Sequence, residues 1–196
     1  MRLPRHLLFL LGLALVVPLA HAAPPATAAL PENSVYRIPA LTLRDQQGEV
    51  FTFDALRGEP RIVGMFYGSC QMACPLEIEY LKRLRHVVLA KSGRSIPVLL
   101  VTFDPARDDA AMLRKVAGEH HVQAPTFRLA RPERGDEGML AGVLGIAYRQ
   151  LPGGGFGHNV KVSLLDAKGR IVASANASGT LDRAFVEAIV ALRTGH

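Results

Sequence analysis

Two near-continuous apolar runs, Arg61–Tyr67 (Arg-Ile-Val-Gly-Met-Phe-Tyr) and Ser95–Phe103 (Ser-Ile-Pro-Val-Leu-Leu-Val-Thr-Phe), flank a stretch where Leu76, Tyr80, Leu81, Leu84, Val87 and Val88 recur at helical spacing. A strand whose residues alternate can leave one face in water, whereas a strand apolar throughout must be covered on both. The pattern therefore predicts neighbouring central strands of an α/β sheet, joined by an amphipathic helix running to about Ala90.

The rest of the chain extends this frame. Leu41–Leu43 and Val50–Phe53 alternate around Asp45-Gln46-Gln47-Gly48, an N-terminal β-hairpin signal. Asp104-Pro105-Ala106-Arg107-Asp108 ends the second apolar strand and leads into a helix over about 109–118. Thr126–Ala130 reads as a short strand, Asp136–Leu144 as a short helix weakened by glycines, and Gly153-Gly154-Gly155-Phe156-Gly157 as a flexible loop. Val160–Leu165 and Ile171–Ser174 flank Asp166-Ala167-Lys168-Gly169 as a second hairpin, and Thr180 can cap a last helix, Leu181–Arg193. The expected fold is α/β: a central mixed sheet flanked by helices, opened by a β-hairpin.

The two cysteines, Cys70 and Cys74, lie in Gly68-Ser69-Cys70-Gln71-Met72-Ala73-Cys74-Pro75, after the first apolar strand. Three intervening residues bring the sulfurs together either on one helix face or in a loop that runs into a helix start. Pro75 favours the second, since its missing N–H costs nothing in a first turn. Cys74 is then expected at the positive end of the helix dipole with a depressed pKa, as the thiolate that attacks disulfides and ligates metals. A purely structural disulfide is the alternative, but so short a loop removes little entropy from the unfolded chain. Carboxyl ends of central strands are where open α/β sheets place their sites.

Residues 1–22 combine Arg2 and Arg5, an apolar Leu7–Leu19 and a small-residue end at Ala20-His21-Ala22. This reads as a secretory signal peptide cut after Ala22, with an uncleaved anchor as the alternative; there is no cysteine for a lipid anchor. Export implies a periplasmic, oxidising setting, in which two free thiols need a reductant protein or a metal. Removing residues 1–22 lowers the formal charge from +6 to +4, spread along the chain without an arginine-rich tract or aromatic–basic interleaving, which argues against nucleic acid. Residues 23–40, rich in Pro and Ala, read as a mobile leader before a single domain over 41–196.

The histidines that could supply a third donor are His86, His120, His121, His158 and His196. His86 lies about 18 Å along the helix from Cys74, too far to share an ion with it. His120 and His121 end a polar helix, a usual place for solvated histidines, and His196 is terminal. His158 follows the glycine run and precedes an apolar strand, so it is either a delivered ligand or an ordinary strand-entry histidine. Two thiolates and one imidazole form a soft set that suits copper better than structural zinc.

Three strings, taken together, resemble one family: Phe66-Tyr67-Gly68-Ser69-Cys70-Gln71-Met72-Ala73-Cys74-Pro75-Leu76-Glu77; Val101-Thr102-Phe103-Asp104-Pro105-Ala106-Arg107-Asp108; and His158-Asn159 ahead of Ser163-Leu164-Leu165-Asp166-Ala167-Lys168-Gly169. They occur in the order seen in the SCO/SenC family, and the resemblance spans about 41–193. It implies a thioredoxin-like fold, export or membrane tethering, and copper binding in cytochrome c oxidase assembly. It puts the family's metal ligands on Cys70, Cys74 and His158, with copper as Cu(I) or Cu(II). Asp104 matches an aspartate near the site that either orients a ligand or only ends a strand. Gln71-Met72-Ala73 replaces the usual Pro-Asp-Val type of insert, and Asn159 the usual Ser or Thr; Met72 either offers a thioether or simply packs.

The expected function is a copper chaperone delivering the ion to the dinuclear copper centre of an oxidase subunit. The alternative is a thiol:disulfide oxidoreductase in which Cys70 and Cys74 form a redox-active pair, kept reduced by a partner protein. A peroxidase is disfavoured because no recognisable Thr-x-x-Cys motif precedes the pair.

Overall fold

The computed structural model describes residues 29–39, 41–70 and 72–194. The expected signal peptide and the first part of the leader lie outside the described residues. Among the described residues, no helix is long and apolar enough to cross a membrane.

The elements are β1 (Thr42–Asp45), β2 (Val50–Thr52), β3 (Arg61–Phe66), α1 (Ala73–Ser92), β4 (Val98–Thr102), α2 (Ala110–Glu119), β5 (Phe127–Pro132), α3 (Glu137–Leu144), β6 (Tyr148–Gln150), β7 (Phe156–His158), β8 (Lys161–Leu165), β9 (Ile171–Asn176) and α4 (Arg183–Thr194). Seven strands form one sheet in the order β2-β1-β5-β4-β3-β8-β9. β3, β4 and β5 run parallel, and the remaining neighbours are antiparallel, so the sheet is mixed as expected. Every residue of β3 and β4 is buried, which is why neither strand alternates. α2 packs on β1 and β5, and α4 packs against α1.

Two features differ from the sequence reading. Residues 31–39 belong to the domain: a 3-10 turn at Val35–Arg37 buries Val35 and Tyr36, each 2% exposed. Val35 N–H donates to Gly169 O (2.9 Å), Ser34 Oγ donates to Lys168 O (2.6 Å), and the Tyr36 ring meets Phe53 at 5.1 Å. Two consecutive apolar residues give no period, so the anchor is invisible to pattern analysis. The glycine loop also proves to be the turn of a small hairpin, β6–β7, with Gly153 and Gly154 at φ +98° and +90°. Its three-residue strands are too short to show alternation.

The cap of α4 is Asp182 rather than Thr180, since Asp182 Oδ1 accepts from Phe185 N (3.1 Å). Gly64, in the middle of β3, has a packing reason: a Cβ there would lie 2.8 Å from Glu77 Oε1 and 2.9 Å from Leu100 Cδ2.

Tyr36→Ala is expected to cost about 3 kcal/mol in urea unfolding, as for other large buried side chains. Unchanged stability would return residues 31–39 to the leader.

Candidate metal and thiol site

β3 and β4 end side by side, with Phe66 paired to Thr102 and Phe103 N–H donating to Phe66 O (3.0 Å). The cysteine loop leaves one strand end and the Asp104–Asp108 turn leaves the other. Asp108 joins them: its Oδ2 accepts from Gly68 N–H (2.8 Å) and from the Thr102 hydroxyl. Gly68 must be glycine here, because a Cβ would lie 2.6 Å from Met112 Cγ and 2.7 Å from Asp108 Oδ1.

Cys70 N–H donates to Tyr67 O (3.2 Å), turning the chain so that Cys70 Sγ faces the start of α1. There it accepts the N–H of Cys74 (3.2 Å). Met72, the residue before α1, supplies no side-chain cap, so the Cys70 sulfur takes that role for an otherwise free N–H. Hydrogen bonding from Cys74, then from His158 and from the backbone, pulls Cys70 down to about 3 against the opposing effect of burial.

Cys74 behaves in the opposite way, correcting the expectation that it is the depressed thiol. It is 2% exposed and donates to the Cys70 sulfur, so first this hydrogen bond and then burial raise its pKa. The helix N-terminus stabilises the sulfur in front of it, not the one carried within its first turn.

His158 reaches the same place from β7. Its Nε2 lies 4.0 Å from Cys74 Sγ across 84 positions of sequence. Its Nδ1 lies 3.2 Å from Asn159 O, a carbonyl that can accept a hydrogen bond from Nδ1, which would free the Nε2 lone pair for an ion in place of the hydrogen bond to Cys70. The ring sits edge-on to Phe103 (4.9 Å) and Tyr67 (6.2 Å). Asn159 ties the base of the hairpin, accepting from Ala147 N (2.8 Å) and donating to Gly145 O (3.3 Å).

Sulfur and nitrogen donors bonded to one ion at about 2.3 and 2.0 Å stand about 3.5–4.3 Å apart, between tetrahedral and linear angles. The Cys74–His158 separation falls within that span. Among the described residues, no three His, Cys, Asp or Glu side chains already form a closed cage, so the three donors would have to draw in around an ion.

Asp104 makes no hydrogen bond to Cys70, Cys74 or His158; it pairs with Arg107 (2.5 Å). Met72 is 79% exposed and so is not packed. His86 and His121 are exposed, while His196 lies outside the described residues. His120 is not simply solvated: its side chain is 17% exposed and its Nδ1 lies 3.2 Å from Glu79 Oε1. It lines a cleft of about 50 Å³ with Phe66, Cys70, Cys74, Ile78 and Val116.

Glu77 is a residue whose environment the sequence reading missed. It is 0% exposed, neither carboxylate oxygen has a hydrogen-bond partner among the described residues, and burial, reinforced by the Cys70 charge, raises its pKa well above the usual carboxylate range. The available signal was its position: Cys74, Glu77, Ile78, Leu81, Leu84 and Val88 form the buried stripe of α1.

The fold and the site together define a thioredoxin-like protein bearing a dithiol with a facing imidazole. The SCO1/SenC family model matches residues 36–192, and the chain belongs to that family. A Stutzerimonas stutzeri protein named for copper binding is 31% identical over 111 residues, and the match covers 54% of each chain. The chain thus spans about half the length of that relative. Arabidopsis thaliana ScoI, solved with copper bound, superposes with a TM-score of 0.67 at 18% identity, covering 77% of this chain and 94% of its own. BsSco, described as having a disulfide switch and as a member of the Sco family of cytochrome c oxidase assembly proteins, gives a TM-score of 0.66 at 16% identity, covering 78% and 90%. At these identities the likeness is one of fold.

Alkylation by iodoacetamide should modify Cys70 at a nearly constant rate from about pH 5 to 8, since its thiolate already dominates there. Cys74 should stay unreacted in the folded chain. A rate at Cys70 that climbs tenfold per pH unit across this window would contradict the thiolate assignment.

Proposed function

We propose that this chain is an exported copper carrier that holds one ion between Cys70 Sγ, Cys74 Sγ and His158 Nε2, and passes it to the dinuclear copper centre of a cytochrome c oxidase subunit. The observation that carries the reading is the 4.0 Å approach of His158 Nε2 to Cys74 Sγ. Two sulfurs and one imidazole are a soft, three-donor set suited to copper, and they leave a position through which an incoming ligand can enter before another leaves. The donors, on the loop after β3, in the first turn of α1 and at the end of β7, border a cleft of only about 50 Å³, too small for an ordinary small-molecule substrate. Such a surface suits a cargo exchanged directly with another protein. Residues 1–22 would direct export as a cleaved signal or remain as a tether at the outer face of the inner membrane.

Proton accounting follows from the two thiols. Cys70 is already ionised, whereas Cys74 must release a proton to become a ligand. Apparent Cu(I) affinity should therefore rise about tenfold per pH unit between pH 6 and 8, one proton per ion bound.

A second reading is favoured by the same pairing of a thiolate with a neighbouring thiol: a dithiol switch. Cys70 would attack a target disulfide, forming a mixed disulfide and releasing one target thiolate. Cys74, on losing its proton, would then attack the Cys70 sulfur and release the other, leaving the target reduced by two electrons and the pair oxidised. A thiol reductant protein would restore the pair.

The test is anaerobic Cu(I) titration against a competing chelator. The wild-type chain should bind one ion, and His158→Ala should weaken it by about 100-fold or more, beyond the usual loss from an outer-shell change. Oxidation of Cys70 and Cys74 to a disulfide should remain possible in the variant. Equal copper affinity in His158→Ala would remove the imidazole from the site and leave the dithiol switch.

A further inference from the structure

The hairpin β6–β7 that carries His158 is not part of the seven-stranded sheet. Asn159 ties its base, but its far end, at Gly153–Phe156, needs another anchor. We propose that the Asp104–Arg107 ion pair is a clasp that keeps this end seated, so that Arg107 is a positioning residue for His158 and its release loosens the imidazole from the thiols. In its consequence for copper the proposal rests on the carrier reading above.

The links run as follows. Asp104 is 6% exposed, and its backbone N–H donates to Thr102 Oγ1 (2.9 Å), so its backbone is fixed to the sheet end and its carboxylate is buried beside it. Its Oδ2 accepts from Arg107 Nε at 2.5 Å. The guanidinium then lies 5.6 Å from the centre of the Phe156 ring, within cation–π range. Arg107 Nη1 also sits 3.0 Å from where a Gly154 Cβ would be, so a glycine is favoured there both by that contact and by φ +90°.

Phe156 and His158 are two apart in one strand and share a face. Both rings pack on Phe103, at 5.1 and 4.9 Å, so a shift of Phe156 is felt by His158. A second contact at this end is the Tyr67 hydroxyl to Phe156 O at 3.5 Å, a long hydrogen bond. Asp108, one residue after Arg107, grips the cysteine loop through Gly68. One five-residue turn thus sets the spacing between the two halves of the site: Asp108 holds the thiols and Arg107 holds the imidazole.

The experiment compares the full-length wild-type chain with Arg107→Ala, Arg107→Lys and Asp104→Asn. In the copper-free state, amide hydrogen exchange across residues 148–158 should quicken about tenfold in Arg107→Ala, with β3 and β4 unchanged. Loaded with one Cu(I), the same variant should lose the ion to a chelator about tenfold faster, the scale of an outer-shell effect. Arg107→Lys keeps the charge but not the planar stack, and should fall between the two. Asp104→Asn should follow Arg107→Ala. Hairpin exchange and copper loss both unchanged in Arg107→Ala would overturn the clasp. If the wild-type chain takes up no copper, the carrier reading fails, while the copper-free exchange still decides whether Arg107 seats the hairpin.

Discussion

Asp108 is the constraint on which the site depends. Parallel pairing brings the ends of β3 and β4 level, but pairing alone does not decide where the two departing loops go. The Asp108 carboxylate, buried and accepting from both Gly68 N–H and the Thr102 hydroxyl, fixes one loop against the other. Burial raises its pKa, and those two hydrogen bonds oppose the rise. With the cysteine loop pinned, α1 starts at Ala73 and its first free N–H groups face Cys70.

The charges around the thiols follow a single logic. A helix N-terminus and neighbouring donors stabilise one negative sulfur, at Cys70. Further negative charge in the same low-dielectric space is disfavoured, which pushes both Cys74 and the buried Glu77 toward their neutral forms. The resting site therefore keeps a reactive thiolate at an accessible position without the repulsion of a second or third anion. A cation would reverse that balance, drawing the Cys74 proton off as it binds. Such a balance fits the carrier reading proposed above, in which the site is loaded and emptied.

The central strands, the long helix between them and both sheet hairpins were legible in the sequence because each leaves a period or an uninterrupted apolar run over enough residues. Cys70, Cys74 and His158 were legible as residue types in a recurring order of motifs. Their convergence could be expected only from the resemblance and not from periodicity, since the approach of His158 spans 84 positions and depends on a hairpin of three-residue strands. The assignment of the thiolate went to the wrong cysteine because position within the helix was weighed, while the direction of the Cys74 N–H toward Cys70 is a property of the loop. Asp104 was singled out for its place in a turn beside the thiol loop, but its partner is Arg107, and Asp108 makes the contact with that loop. The 31–39 segment escaped notice because its anchor is two side chains rather than a pattern.

The most direct measurement of the convergence of these three side chains is X-ray absorption at the copper edge on the full chain carrying one Cu(I). The account predicts two sulfur neighbours and one nitrogen with the multiple-scattering signature of an imidazole, the latter absent when residue 158 is alanine. A spectrum showing sulfur neighbours only, the same with or without the imidazole at 158, would contradict it.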